Sequence, residues 1–344
     1  MKRAVVLFNL GGPDAPQSVQ PFLFNLFNDK AIIGLPQPLR WLVAKLISTR
    51  RAPVAQEIYE NLGGKSPLLE LTQEQARDLE ASLSAASPGD DFKVVIAMRY
   101  WHPFSGEAAA ELKAFAPDEI TLLPLYPQFS TTTTGSSALE WAKAAKDAGL
   151  TAPTRTVCCY PMQDDFITAH AEMLKPYVAD GGARVLFSAH GLPKRVVERG
   201  DPYQWQVEQT VAATVQALDV PGLDYVTCYQ SRVGPLEWIG PSTDDEIERA
   251  GREGKPLVVV PIAFVSEHSE TLVELDIEYG ELAEKAGVPD YKRVPALGTH
   301  PSYVAALTSA VLSAVDGVAP NTGKRICPKG FSQCPCDRQG ERAA

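Results

Sequence analysis

The stretch ARVLFSAHGLP (183–193) decides the fold: a short apolar β-type run breaks into a Gly/Pro turn that carries His190. A second stretch of the same shape, AVVLFNLGGP (4–13), opens the chain, and Phe8 of VLFNLGGP (6–13) aligns with Phe187 of VLFSAHGLP (185–193). Further along, LLPLYPQFS (122–130) resembles VVVPIAFVS (258–266), with Pro124 matching Pro261. The first pair lies 179 residues apart and the second 137, so two copies of one βα layout fit both if the first copy carries about 42 extra residues. KVVIAM (93–98), ITLLPLY (120–126), DYVTCY (224–229) and LVVVPIAFV (257–265) supply more strands of the same buried type. Continuous apolar strands alternating with helical patterns predict parallel sheets covered on both faces. The expected fold class is α/β, with sites at the carboxyl ends of strands.

Composition narrows the function. The chain has 344 residues, a length for two domains, with 45% hydrophobic and 22% charged residues. A formal net charge of −10 and the lack of a long basic run argue against a nucleic-acid partner. No apolar run reaches the ~18 residues of a membrane span. AVVLF near the N-terminus reads as a buried first strand rather than a secretory signal. The expected location is the cytoplasm, where the six cysteines are read as thiols or metal ligands rather than disulfides. There is no Walker P-loop, no GxGxxG and no GxSxG, so nothing calls for a nucleotide or for acyl chemistry.

The extra residues of the first copy fall within 17–66, which holds PFLFNLF (21–27) and AIIGLPQPLRWLVAKLI (31–47), followed by Ser48-Thr49-Arg50-Arg51. Leu39, Leu42, Val43, Leu46 and Ile47 recur at helical spacing beside Arg40, Trp41 and Lys45. Such a helix either packs on its own domain or forms an apolar lip that meets a greasy ligand or a bilayer.

Four constellations carry chemistry. His190, where a buried strand breaks, is placed either to accept protons near neutral pH or to cap the next helix. In SEHSETLVELDIEYGE (266–281), Glu270, Glu274 and Glu278 stand at i, i+4 and i+8 behind His268. They form either a solvated face or a track for protons or a hard cation, with Leu272, Leu275 and Tyr279 on the buried side. Arg99-Tyr100-Trp101, Tyr126, Gln128, the hydroxyl run Ser130 to Thr134, and Trp238 offer aromatic walls, a guanidinium and rim hydroxyls to a flat apolar ligand with carboxylate tails. Finally, Cys327, Cys334 and Cys336 leave a [2Fe–2S] cluster one thiolate short, with Cys158, Cys159 and Cys228 available as the fourth. A zinc site or a redox-sensitive tail are the other readings. Cys158 and Cys159 follow a β-type run and are expected to point to opposite faces.

Taken together, these motifs closely resemble the ferrochelatases. The matching stretches are FNLGGP (8–13), QEIYENLGGKSPL (56–68), MRYWHP (98–103), LPLYPQFSTTTTGSS (123–137), FSAHGLP (187–193), YQSRVGPLEWIGPSTDDE (229–246) and SEHSETLVELDIEYGE (266–281). They run in the family's order along nearly the whole chain. The resemblance implies the chelatase fold: two Rossmann-like domains without a nucleotide, each a parallel sheet flanked by helices. Residues 1–160, including a lip at 17–51, would form the first domain, completed by a C-terminal helix at about 302–326; 161–301 would form the second, and 327–344 a cysteine-containing tail.

The resemblance also implies roles. His190 and Glu270 would line opposite sides of the site where Fe²⁺ enters a porphyrin, with His268, Glu274 and Glu278 continuing an acidic path. Arg51, Tyr59 and Ser66 would hold propionates or line the pocket mouth, and Arg99, Tyr100 and Trp238 would border the macrocycle. Leu10 stands where eukaryotic-type members have a methionine beside the porphyrin, so no porphyrin contact is assigned to it. The tail resembles that of members with a [2Fe–2S] cluster. The hydroxyl run after YPQ lacks the cysteine of the animal type, which leaves Cys158 as the favoured fourth ligand and Cys159 next. The implied substrates are Fe²⁺ and protoporphyrin IX, with weak peripheral membrane association and an open oligomeric state. Coproporphyrin III as substrate, or a haem-binding or iron-sensing role on the same scaffold, are the alternatives.

Overall fold

Ala4 to Phe8 and Val185 to Ala189 are buried almost completely, as expected of central strands with helices on both faces. The computed structural model describes residues 1–336 except Val233 and Pro235; the end of the predicted tail and those two positions of the QSRVGP motif lie outside the described residues. The first half runs β1 (Lys2–Asn9), α1 (Val19–Phe27), α2 (Leu39–Glu60), α3 (Leu68–Ala86), β2 (Asp91–Met98), α4 (Ser105–Phe115), β3 (Glu119–Pro124), α5 (Thr134–Ala148), β4 (Thr154–Val157) and α6 (Asp164–Val178). The second runs β5 (Arg184–His190), α7 (Lys194–Glu198), α8 (Tyr203–Leu218), β6 (Tyr225–Gln230), α9 (Thr243–Glu253) and β7 (Leu257–Pro261). It continues through a π-helix (Glu270–Glu278), α10 (Tyr279–Ala286) and β8 (Tyr291–Arg293). Helix α11 (Pro301–Leu312) and β9 (Gly317–Ala319) then return to the first half.

Both sheets are parallel, with strand orders β2-β1-β3-β4-β9 and β6-β5-β7-β8. The second order repeats the first without β9, so the internal repeat read from the sequence is a repeat of topology. The chain fits this layout because each turn residue is placed where a strand must stop. Pro261 ends β7 earlier than the apolar run LVVVPIAFV suggested, and the Ile262 N–H turns over to the Ser188 carbonyl at 3.1 Å. Strand β4 is the β-type run expected before Cys158, whereas the short strands β8 and β9 were not expected; they are edge elements with too few apolar residues to signal themselves.

The extra residues of the first copy fall in α1 and α2, which precede α3 between β1 and β2, where the second copy has only the five-residue α7 ahead of α8. Helix α2 runs on through Arg50 and Arg51 and buries Ala44, Ser48, Ala52 and Tyr59, while Leu39, Trp41, Leu42 and Leu46 are about half exposed. Up to Ala52, its small residues and not its largest apolar ones face the protein. The apolar stripe is therefore a surface lip rather than a packed core face. No helix of the described residues is long and apolar enough to cross a membrane.

Buried polar contacts tie the halves together. Gln75 on α3 donates to the Val265 and Gly298 carbonyls at 3.0 and 2.9 Å and accepts from Ser266 Oγ. Asp201, fully buried, accepts from the Thr131 N–H, Thr131 Oγ1 and Ser130 Oγ at 2.8, 2.7 and 3.1 Å. Part of the hydroxyl run is thus spent on joining the halves instead of rimming a pocket.

Candidate active site

His190 is the last residue of β5, and the adjacent strand β7 leads through Ile262–Ser269 to Glu270 at the head of the π-helix. Two neighbouring strands therefore deliver both side chains to one carboxyl edge. The next residue is a glycine in a tight space: a Cβ on Gly191 would sit 3.0 Å from the Gln230 carbonyl and 3.3 Å from the Trp238 ring. The imidazole caps no helix. Its Nδ1 lies 2.9 Å from Glu270 Oε2, while its carbonyl accepts from Tyr203 Oη at 3.1 Å. The two groups expected on opposite sides of a site are in direct contact here. Burial resists charging the imidazole, but the Glu270 carboxylate outweighs it and raises the histidine above its ordinary value. Burial likewise works against Glu270, but His190 and His268 together pull its carboxyl down to about 2. His268 Nδ1 is 3.0 Å from the Ser266 carbonyl, which makes that nitrogen the protonated one, and its Nε2 lies 4.0 Å from Glu270 Oε2.

The acidic line sits on a π-helix rather than the expected α-helix, a rare element that is frequent at functional sites. Thr271, Val273, Leu275 and Tyr279 form its buried side, with Leu272 only partly covered. Glu274 accepts from Gln230 Nε2 at 3.0 Å, from the Ser231 N–H at 2.8 Å and from Tyr279 Oη at 3.2 Å. Burial and the neighbouring Glu270 charge nevertheless raise its carboxyl above the ordinary range. Glu278 is exposed. The line thus runs from a half-buried anion, through a carboxyl that holds a proton more readily, to solvent.

Gln230, Ser231 and Tyr203 were missed as site residues. Gln230 and Ser231 stand in a motif quoted for the resemblance, but nothing in the spacing showed that the Gln230 amide would bind both the Glu270 carbonyl and the Glu274 carboxylate, each at 3.0 Å.

The expected pocket residues divide. Tyr59, its phenol pushed up to about 12 by burial, comes from the C-terminal end of α2 to lie beside Ser269 and Glu270. Trp238 is half-buried and bridges Pro193 through its backbone, and its indole Nε1 is buried without a protein partner. Arg51 is exposed over the Phe27 ring. Ser66 is buried against Gly12, where a Cβ would come within 2.5 Å of it. Arg99 Nη2 pairs with Asp29 at 2.8 Å, and Tyr100, also buried, donates to the same carboxylate at 2.9 Å. Both hold the lip through Asp29, which lies in a stretch without periodicity and gave no signal of it.

Five cysteines converge beside β4 and β9. Cys158 Sγ is 3.8 Å from Cys336 Sγ and 3.6 Å from Cys159 Sγ. Cys334 interacts with Cys327 and Cys336, which together hold its thiol well below the usual range. The expectation that Cys158 and Cys159 face apart is corrected: β4 ends at Val157, so strand alternation no longer applies and both thiols turn into the nest. Cys228 belongs elsewhere, in the core of the second sheet, with its thiol 3.7 Å from the Phe187 carbonyl. No three His, Cys, Asp or Glu side chains among the described residues are grouped to hold a single metal ion.

The ferrochelatase family model matches residues 2–315. The chain belongs to the ferrochelatase family. It is 55% identical to a ferrochelatase of Caulobacter vibrioides, covering 99% of each chain, and 52% identical to one of Rickettsia bellii, covering 97% of this chain and 94% of that one. As a ferrochelatase it is an enzyme that inserts iron into a porphyrin. Solved structures share the fold at low identity. SirB from Bacillus subtilis with Fe³⁺ aligns with a TM-score of 0.54 and 16% identity, covering 91% of this chain and 95% of that one. CbiX, the terminal enzyme of sirohaem synthesis in denitrifying bacteria, gives 0.50 and 13%, covering 92% and 100%. The architecture is thus the chelatase fold.

Proposed function

We propose that this ferrochelatase inserts Fe²⁺ into protoporphyrin IX to give protohaem, with His190 as the acceptor of pyrrole protons. The observation that supports the proton-acceptor role is the 2.9 Å contact between His190 Nδ1 and Glu270 Oε2 at the carboxyl edge of β5. A carboxylate on Nδ1 fixes the tautomer that leaves the Nε2 lone pair open, so Nε2 takes the proton. Glu270 balances the imidazolium that forms. Glu274, with its raised pKa, receives protons next and Glu278 passes them to water, with His268 tempering the charge on Glu270. In this reading Arg51, Tyr59, Ser66, Arg99, Tyr100 and Trp238 surround the porphyrin and its propionates. The chain divides into a first domain of 1–160 completed by α11, a second of 161–301, and the tail. The enzyme works in the cytoplasm and touches the membrane peripherally through the exposed Trp41, Leu42 and Leu46.

The cysteine nest suits a [2Fe–2S] cluster held by Cys158, Cys327, Cys334 and Cys336. Such a cluster spreads its thiolates over two irons, two on each, so it needs close pairs rather than a three-ligand cage. Cys158 beside Cys336, and Cys327 beside Cys334, are such pairs. Bound there, the cluster would cross-link the tail to β4 and supply no electron to a reaction that is redox-neutral.

The deciding experiment is anaerobic incubation with Fe²⁺ or Zn²⁺ and either protoporphyrin IX or coproporphyrin III, followed by absorbance. Preferred metallation of protoporphyrin supports the reading. Preferred metallation of coproporphyrin moves the enzyme to that substrate, and porphyrin binding without metallation makes it a haem-binding or sensing protein.

A further inference from the structure

Gln206 lies in the first turns of α8 with its side chain 1% exposed. Its Oε1 accepts the Phe129 N–H at 2.7 Å, which leaves no choice in the orientation of the amide. The NH₂ end is thereby aimed into the cysteine nest, with Nε2 3.1 Å from Cys327 Sγ and 3.5 Å from Cys159 Sγ. A neutral thiol is a weak acceptor, and a buried amide that finds only thiols is poorly compensated. A thiolate is a strong acceptor, because hydrogen bonds to charged groups are roughly twice as strong as neutral ones. The position makes physical sense when Cys327 is a metal-bound thiolate.

We propose that Gln206 is a positioning residue for the iron–sulfur site that sets its reduction potential by donating a hydrogen bond to the Cys327 sulfur. This rests on the reading that Cys158, Cys327, Cys334 and Cys336 hold a [2Fe–2S] cluster. Reduction adds one electron to the cluster and moves no bond or proton. It makes the sulfurs more negative, so a fixed donor stabilises the reduced state more than the oxidised one and raises the potential. The other N–H, toward Cys159, gives that cysteine a reason to be present without binding iron.

The test starts with iron and sulfide analysis of the wild type, followed by a potentiometric titration monitored by electron paramagnetic resonance, beside Gln206→Leu. The expected result is a more negative midpoint in the variant, a change of roughly tenfold in the oxidised-to-reduced ratio at fixed potential, or about 59 mV for one electron. An equal midpoint overturns the proposal and leaves the cluster standing. Wild type without iron and sulfide overturns the cluster reading and this proposal with it. Should the variant not fold, wild type labelled with ¹⁵N at glutamine side-chain amides decides. A ¹⁵N hyperfine coupling to the reduced cluster is expected, and its absence overturns the proposal.

Discussion

Arg99, just past the end of β2, and Asp29, just past the end of α1, form an ion pair at 2.8 Å that clamps the lip to the first sheet. Tyr100 and Ser136 place hydroxyls on the same carboxylate. Removing the carboxylate leaves a largely buried guanidinium uncompensated, a loss of about 3 kcal/mol when one partner of a buried pair is deleted. Asp29→Ala is expected to lower the melting temperature and speed proteolysis within 28–38, read by mass spectrometry of the fragments. Unchanged cleavage in the lip would show that the clamp is not what holds it.

His190→Ala is expected to lower kcat by ~10²-fold or more while porphyrin affinity, measured by fluorescence quenching, stays nearly constant. Near-normal turnover would remove the histidine from proton transfer.

The pair also fixes a pH dependence. The His190 pKa is raised by Glu270, so the neutral, proton-accepting form gains population only as pH climbs past the ordinary histidine range. In Glu270→Gln the main raising charge is gone and burial is opposed only by Glu274, so the acid limb of the kcat profile is expected to move to lower pH even as the maximum falls. For stability the signs are opposite. The histidine contribution is complete below its unfolded value and is lost as pH rises through the folded one. The Glu270 contribution is present above the unfolded carboxylate value and is lost as pH falls toward about 2. An acid limb that stays in place in Glu270→Gln would separate the titrating group from His190. Within the line, Glu274→Gln is expected to cost less than Glu270→Gln, and the exposed Glu278→Gln least. Equal small effects at all three would mark a merely solvated face.

Cys158→Ser is expected to abolish visible absorption from the cluster, whereas Cys159→Ser keeps it, because Cys158 is the thiol 3.8 Å from Cys336. The reverse outcome assigns the fourth ligand to Cys159. Loss of the metal should also loosen the tail and lower the melting temperature.

Replacing Trp41, Leu42 and Leu46 together by Ser is expected to abolish flotation with anionic liposomes. These side chains are already 46%, 56% and 50% exposed, so folding should be little affected. Flotation equal to wild type would detach the lip from lipid binding.

Much of the architecture was legible because the buried strands announce themselves. Phe8 and Phe187, and Pro124 and Pro261, gave the repeat, and the two strand orders share it. The surplus of the first copy was legible as well, since it could only be α1 and α2. The exposure of Leu42 and Leu46 was not, because helical periodicity marks a stripe without saying what covers it. His190 and Glu270 stood out by position, but their direct contact depends on how β7 leaves the sheet at Pro261. Asp29, Gln206 and Ser231 act through partners 70, 121 and 43 residues away in sequence, and no local pattern encodes such a pairing.

Strand β9 pairs with β4 in the first sheet although the two are separated by the entire second half of the chain. On the ribosome, the first sheet therefore emerges with its β4 edge bare and stays so while the second half is translated. Its final strand and the three tail cysteines emerge only after that half, close together in the chain. In the proposed reading, iron–sulfur loading at Cys158 therefore follows translation of the tail and coincides with the sealing of an edge that would otherwise invite pairing with another nascent chain.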